Sequence, residues 1–206
     1  MGCDIHLYLE KRNKLGKWEN SEYTKNQLRL WRSYPMFARM ANVRNYWDLD
    51  HRPVRGFPIN ASIDVKKAFF SEIVSTVKYD KLEKEVKKEE FTINCVKYEN
   101  AIRLLSEDKY IKPFYIADNG DLFMLDKDYV LGKMLIPNKA TLGNIYITDP
   151  DYHSANCLTY EEYAKCLYET LKEESINQTG WTELLRKMED YKKEGTECRI
   201  VFWFDN

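Results

Sequence analysis

The chain has 206 residues, 44% of them apolar and 32% charged, with a formal net charge of -1. That length supports a buried core, and that composition excludes a disordered chain. The near-neutral balance lacks the basic excess of a binder of nucleic acid polymers, and no apolar run reaches the length of a membrane span.

The opening stretch, MGCDIHLYLEKR, alternates in character. Cys3, Ile5, Leu7 and Leu9 form an apolar face, and Asp4, His6, Tyr8 and Glu10 a polar one, so period two predicts a half-buried strand ending near Arg12. On the polar face, successive side chains stand roughly 7 Å apart. A strand this early leaves no room for a signal peptide. Asn13 to Gly16 predict a hairpin turn, and KWENSEY predicts the return strand, with Trp18 packing. SYPMFARMANV predicts a short helix capped by Ser33, with Pro35 in its first turn and Tyr34, Phe37, Ala38 and Ala41 on one face. NYWDLDHRPVRGFPINAS, with two prolines and a glycine, predicts an ordered loop of the kind that carries function.

The middle of the chain reads differently. Residues 62–78 and 94–106 predict helices, and the charged stretch 78–90, anchored only by Leu82 and Val86, predicts a solvated helical extension. KPFYIADNGDLFML predicts a hairpin turning at Asp118-Asn119-Gly120, and residues 128–148 predict strands and turns. LTYEEYAKCLYETLKEE predicts a helix with a capping box from Thr159 and Glu162. A second helix is expected after Gly180, ending at Gly195, and then a strand, ECRIVFWFDN. In that strand Ile200, Phe202 and Phe204 point one way, and Arg199, Val201, Trp203 and Asp205 the other. The fold expected is α+β: an antiparallel sheet containing the N- and C-terminal strands, with helices packed on one face.

Five scattered cysteines, Cys3, Cys95, Cys157, Cys166 and Cys198, include no CxxC pair and predict reduced thiols in a cytoplasmic protein. Gly2 does not meet the myristoylation pattern, because His6 stands where Ser or Thr is required, and the glycosylation triplet at Asn177 has no meaning in that compartment.

Each of the three histidines has an aspartate close by: His6 in CDIH, His51 in WDLDHR and His153 in DPDYHS. A carboxylate fixes one imidazole tautomer and raises the basicity of the ring, which suits a general base, a metal ligand or a phosphate-facing imidazolium. Asp is also common in loops because it satisfies turn backbone. No HxH or HExxH spacing occurs, so no metal is favoured; Asp4, His6 and His153 are the ligands to suspect if one binds. VRGFP, with Arg55 beside Gly56 and with Arg44 and Arg52 upstream, offers planar forks for phosphate or carboxylate, or equally a surface pair with an acidic neighbour. HSANCLT places Ser154 ahead of the capped helix, whose free N–H groups could receive an anion; a plain connector is the simpler reading. No Gly-rich phosphate loop, dinucleotide fingerprint or GxSxG elbow is present.

The motifs MGCDIHLYLE, Tyr-x-x-Phe-Ala-x-x-Ala-x-Val-Arg-Asn, Arg-Gly-x-Pro, His-Ser-x-x-x-Leu-Thr and a final Ile-Val-Phe-Trp-Phe-Asp-Asn together resemble a family of small uncharacterised proteins of phages and bacterial genomes. The match covers roughly residues 1–60, 149–172 and 196–206. The organisation expected is a single domain over 1–206 with a family-specific elaboration at about 62–148. The resemblance implies a phage-associated, cytoplasmic setting, brings no established reaction, and singles out His6, Arg44, Arg55, His153 and Ser154.

The polar sides of the first and last strands are expected to meet, bringing Asp4, His6 and Tyr8 beside Arg199, Trp203 and Asp205, with Asp4 orienting His6. The ligand-binding residues expected are Asp4, His6, Tyr8, Arg44, Arg55, His153, Ser154 and Trp203, which offer aromatic surface for a base and donors for phosphate. The function expected is a phage-type anti-defence protein that binds and sequesters a nucleotide-derived, phosphate-bearing signalling molecule, with no cofactor required. One alternative is an enzyme that cleaves or modifies a nucleotide or phosphate ester, with His6 or His153 as general acid/base and with or without a metal. Another is an inhibitor that binds a host protein through the charged middle segment. The partner expected is thus a small molecule, not a membrane or a nucleic acid polymer, and a homo-oligomer is compatible with it.

Overall fold

The computed structural model describes residues 2–24, 30–89, 94–107, 111–134, 144–149, 151–173 and 179–205. In chain order the elements are β1 (Asp4–Arg12), β2 (Trp18–Thr24), α1 (Tyr34–Ala41), α2 (Ile63–Phe69), β3 (Phe70–Val74), α3 (Thr76–Glu89), β4 (Cys95–Lys97) and α4 (Tyr98–Glu107). They continue with β5 (Phe114–Ile116), β6 (Leu122–Met124), α5 (Lys127–Met134), β7 (Ile145–Thr148), β8 (His153–Thr159), α6 (Tyr160–Glu173), α7 (Thr179–Lys193) and β9 (Cys198–Asp205). Two compact units divide the chain: residues 1–65 with 151–206, and residues 66–150.

The first unit is built on an antiparallel sheet of order β2-β1-β9-β8. Its central pair joins the first and last strands, in register from Asp4 opposite Asp205 to Lys11 opposite Cys198. The alternation of β1 has the expected result: Cys3, Ile5, Leu7 and Leu9 are at most 2% exposed. With Ile200, Phe202 and Phe204 they form one face of a core closed by Met36, Phe37 and Met40 of α1, Tyr163 and Leu167 of α6, and Trp181, Leu184 and Met188 of α7. Each such side chain contributes about 1.5–3 kcal/mol by leaving water. Local signals position the helices. Ser33 Oγ caps α1 by accepting from the Met36 N–H at 3.4 Å. Thr159 and Glu162 close the capping box of α6, with the Thr159 N–H donating to Glu162 Oε2 at 3.0 Å. At the hairpin, Asn13 Oδ1 accepts from the N–H groups of Leu15 and Lys17.

The opposite face of this sheet is covered as well. The loop after α1 runs along β9: Phe57 meets Trp203 edge-on, Asn60 Oδ1 accepts from Arg199, and the Ser62 N–H donates to Glu10. Glu10, Val201 and Trp203 are consequently 0% exposed.

The second unit carries a mixed sheet of order β4-β3-β7-β5-β6, in which β3 pairs parallel with β4 and antiparallel with β7. Its own core gathers Ile73, Tyr98, Ala101, Leu105, Ile111, Val130, Met134 and Ile147. The hairpin at Asp118-Asn119-Gly120 forms as expected, with Gly120 at φ 86 and its N–H donating to Ala117 O.

Four expectations are corrected. Residues 62–78 are not one helix: α2 ends at Phe69 and β3 follows. Phe70, Ser71, Ile73 and Val74 are all buried, so β3 lacks the alternation that marks a half-buried strand. The helix expected over 94–106 starts only at Tyr98, after the short strand β4. Residues 127–134 are helical where strands and turns were expected, and of that stretch residues 135–143 lie outside the described residues, as do Glu90 and Asn177. HSANCLT is not a plain connector but the edge strand β8, paired with β9, and only its last residue, Thr159, belongs to the helix entry. No helix among the described residues is long and apolar enough to cross a membrane.

Candidate functional site

The register of β1 and β9 decides which expected residues can meet. His6 lies opposite Trp203, and its ring stacks on the indole at 5.5 Å with 9° between planes. Tyr8 stacks on the same indole at 5.4 Å, and Tyr152 tilts against His6 at 5.0 Å. The carboxylate on His6 is that of Asp205, with Oδ2 3.0 Å from Nε2. Asp4 does not orient His6. Its two carboxylate oxygens accept a bidentate pair from Arg32 at 2.7 and 2.6 Å, and its backbone N–H donates to Asp205 Oδ1 at 3.2 Å.

His6 and His153 do not converge. His153 lies opposite Phe204, a core-facing residue, and its ring stacks on Phe204 at 6.0 Å. It therefore stands on the helix-covered face, while His6 stands on the other. His153 Nδ1 is 3.0 Å from Ser154 Oγ. Ser154 sits in the register shift of β8 at φ 50, a strained value for a residue with a β-carbon, and six residues ahead of α6. The helix N-terminus is thus out of its reach. His51 is exposed, with Nδ1 3.1 Å from Arg52 O. Among the described residues no group of three or more His, Cys, Asp or Glu is placed to hold a metal ion.

The arginines separate too. Arg44, at φ 53, donates to the Tyr46 hydroxyl at 3.2 Å and lies against the Cys3 thiol. Arg55 fastens its loop to β8 and α6: its N–H donates to Asn156 Oδ1 at 3.2 Å, and its guanidinium to Cys157 O at 3.1 Å and to both oxygens of Glu162. That guanidinium holds the Glu162 carboxyl below its ordinary range. Arg199 lies opposite Glu10, six residues along the strand from Asp4, a distance of about 20 Å. It stands one side-chain step, about 7 Å, from Tyr8 on the same face, and apart from Asp4 and His6.

Arg199 instead belongs to a cavity of about 610 Å³ at the other end of the sheet. The hairpin contributes Arg12 and Trp18, the covering loop Arg55 and Asn60, the β8–α6 junction residues 157–161, and the α7–β9 turn Lys192, Gly195 and Glu197. Arg12 and Trp18 are cross-strand partners, and two guanidinium groups rest on the indole: Cζ of Arg199 lies 4.0 Å and Cζ of Arg12 4.9 Å from its centroid. Lys192 Nζ lies 4.5 Å from the Tyr160 ring centroid. Arg199 is held from behind. Its Nε donates to Glu10 Oε2 at 2.8 Å and its Nη1 to Asn60 Oδ1 at 3.0 Å, while the Ser62 N–H donates to Glu10 Oε1 at 2.6 Å.

Compared with protein-family models, with curated proteins and with solved structures, the chain matches none. The functional reading therefore rests on the site. Four cations, two aromatic rings and a volume within the usual range of ligand pockets suit an anionic ligand with a flat ring. Of the residues expected to bind a ligand, only Arg55 lines this cavity. Reasoning from sequence missed Arg12, Trp18, Asn60 and Lys192. The Arg-Trp pairing across a turn was a readable signal for the first two; nothing in sequence pointed to Lys192.

Proposed function

We propose that this protein binds and sequesters a nucleotide-derived, phosphate-bearing small molecule in the cavity lined by Arg12, Trp18, Arg55, Lys192 and Arg199. The observation that carries this reading is the convergence of four cations on one concavity of about 610 Å³ beside Trp18 and Tyr160. Guanidinium groups take phosphate oxygens as forks, and their planes, stacked here on Trp18, also take a base by its face. Sequestration agrees with the cytoplasmic, phage-associated setting that the motif resemblance implies, in which such a protein withdraws a host defence signal.

A second reading, hydrolysis of a phosphate ester, is favoured by one observation, the His6–Asp205 pair at 3.0 Å. One incubation separates the two. The protein is mixed with cyclic dinucleotides, ADP-ribose-type compounds and nucleoside diphosphates, filtered, then heat-denatured. Sequestration predicts a compound depleted from the filtrate and released intact. Products of altered mass would establish turnover instead, and no depletion of any compound would overturn both readings.

A further inference from the structure

Every cation of the cavity is already matched by a carboxylate of the protein, and the four matches are of two kinds. Arg199 faces Glu10, which is 0% exposed and held by the Ser62 N–H. Arg55 faces Glu162, which also accepts from the Thr159 N–H in the capping box. These carboxylates have second partners within the fold and stay where they are. The other two pairs lie at the rim and differ from these in exposure; Glu161 also accepts from its own N–H and from the Thr159 side chain. Arg12 Nε meets Glu197 Oε2 at 2.8 Å with side chains 42% and 61% exposed, and Lys192 Nζ meets Glu161 Oε1 at 2.5 Å with side chains 56% and 65% exposed. Both rim cations flank the α7–β9 turn: the Arg12 N–H donates to Glu197 O, and the Gly195 N–H to Lys192 O.

We propose that Glu161 and Glu197 are displaceable counter-ions, so that the cavity selects ligands with two linked phosphoryl centres, a diphosphate or bisphosphate, over those with one. This rests on the binding reading above and names the ligand class for the same site. An exposed ion pair separates at little cost, because both partners regain water. A ligand with one charged centre replaces one such pair by another of the same kind and gives up its freedom of motion, so it gains little. A ligand with two linked centres replaces both pairs for a single loss of freedom. Once the carboxylates have swung away, Arg12 and Lys192 face the ligand while Arg55 and Arg199 keep their internal partners and hold the cavity's shape.

The test is calorimetric titration of the full chain with inorganic pyrophosphate and with orthophosphate at matched ionic strength. Wild type is expected to bind pyrophosphate at least tenfold more tightly. In Glu161→Gln/Glu197→Gln, orthophosphate affinity is expected to rise at least fivefold and the preference to shrink. The two single variants are expected to show intermediate rises, and all these positions are exposed, so each protein folds. Equal affinity of wild type for the two anions, or no gain in the variants, would overturn the counter-ion proposal alone if the nucleotide incubation still shows depletion. Failure of wild type to bind pyrophosphate or any nucleotide would overturn the binding reading with it.

Discussion

Arg199 and Glu10 face each other across the central strands, Nε 2.8 Å from Oε2, with Glu10 fully out of water and Arg199 8% exposed. Removing one partner strands the other. Arg199→Met is expected to destabilise the protein by about 3–5 kcal/mol, whereas Glu10→Leu/Arg199→Met recovers only part of that loss, because the Ser62 N–H and Asn60 Oδ1 lose their partners. Urea unfolding of the three proteins measures both. The double variant, folded but without the inner cation, is expected to lose nucleotide depletion.

Position along the sheet gives a second expectation. His6 lies near the Asp4 end, and the cavity lies at the Arg199 end, four residues or about 13 Å along the strand from His6. His6→Ala is therefore expected to leave pyrophosphate affinity within twofold of wild type, while Arg12→Ala weakens it at least fivefold. Titration calorimetry of the two variants decides this, and the reverse ranking would move the site to the expected histidine.

The Arg55–Glu162 clamp makes stability depend on pH. The Glu162 carboxyl is held below its ordinary range, first by Arg55. A carboxylate with a lowered folded pKa contributes stability that is fully present above its unfolded pKa and is lost as pH falls through the folded one. Wild type is thus expected to exceed Glu162→Gln by about 1–2 kcal/mol at neutral pH. The gap should close below the ordinary carboxylate range. Thermal melts of both proteins from pH 7 to pH 3 give the curve.

The five thiols are free and differ in access. Burial pushes Cys166 and Cys198 up to about 11 and raises Cys3 and Cys95, of which Cys3 is buried and Cys95 half-buried. A thiol kept protonated and out of water reacts slowly. Disulfide-forming reagent at pH 8 is expected to label Cys95 and Cys157, both half-buried, well before the other three. Cys157 lines the cavity, so pyrophosphate is expected to slow its labelling and leave Cys95 unchanged. Mass spectrometry of peptides reads both effects.

β1 was legible because Asp4, His6, Tyr8 and Glu10 alternate with the apolar Cys3, Ile5, Leu7 and Leu9; β9, buried on both faces, was legible because Gly195 ends the helix before it and sets its apolar run apart. The helices α1 and α6 were legible through Ser33, Thr159 and Glu162, whose side chains do capping chemistry within three residues. β3 was not, because a strand buried on both sides reads as a plain apolar run attached to the helix before it. β8 was hidden by its irregular register at Ser154, which breaks the alternation. The polar strip of Asp4, His6 and Tyr8 was visible in sequence, but its partners were not: Arg32 claims Asp4, and Asp205 takes His6. The cavity was hidden for a different reason. Arg12, Asn60, Lys192 and Arg199 are brought together by tertiary structure from four parts of the chain, and no short motif joins them.

The pairing of β1 with β9 has a consequence for how the protein is made. On the ribosome the β1–β2 hairpin is finished early, yet of the elements that cover its apolar side only α1 is available until residues 151–205 emerge with β9, α6 and α7. The second unit, whose core residues all fall between Ile73 and Ile147, has its whole core available sooner. The late closure of the first unit is a long-range contact of the kind that slows folding and leaves an edge open to wrong partners. Synthesis therefore passes through an interval in which Ile5, Leu7 and Leu9 of a nascent, cavity-less chain have at most α1 over them, the kind of incompletely covered apolar surface that invites wrong contacts.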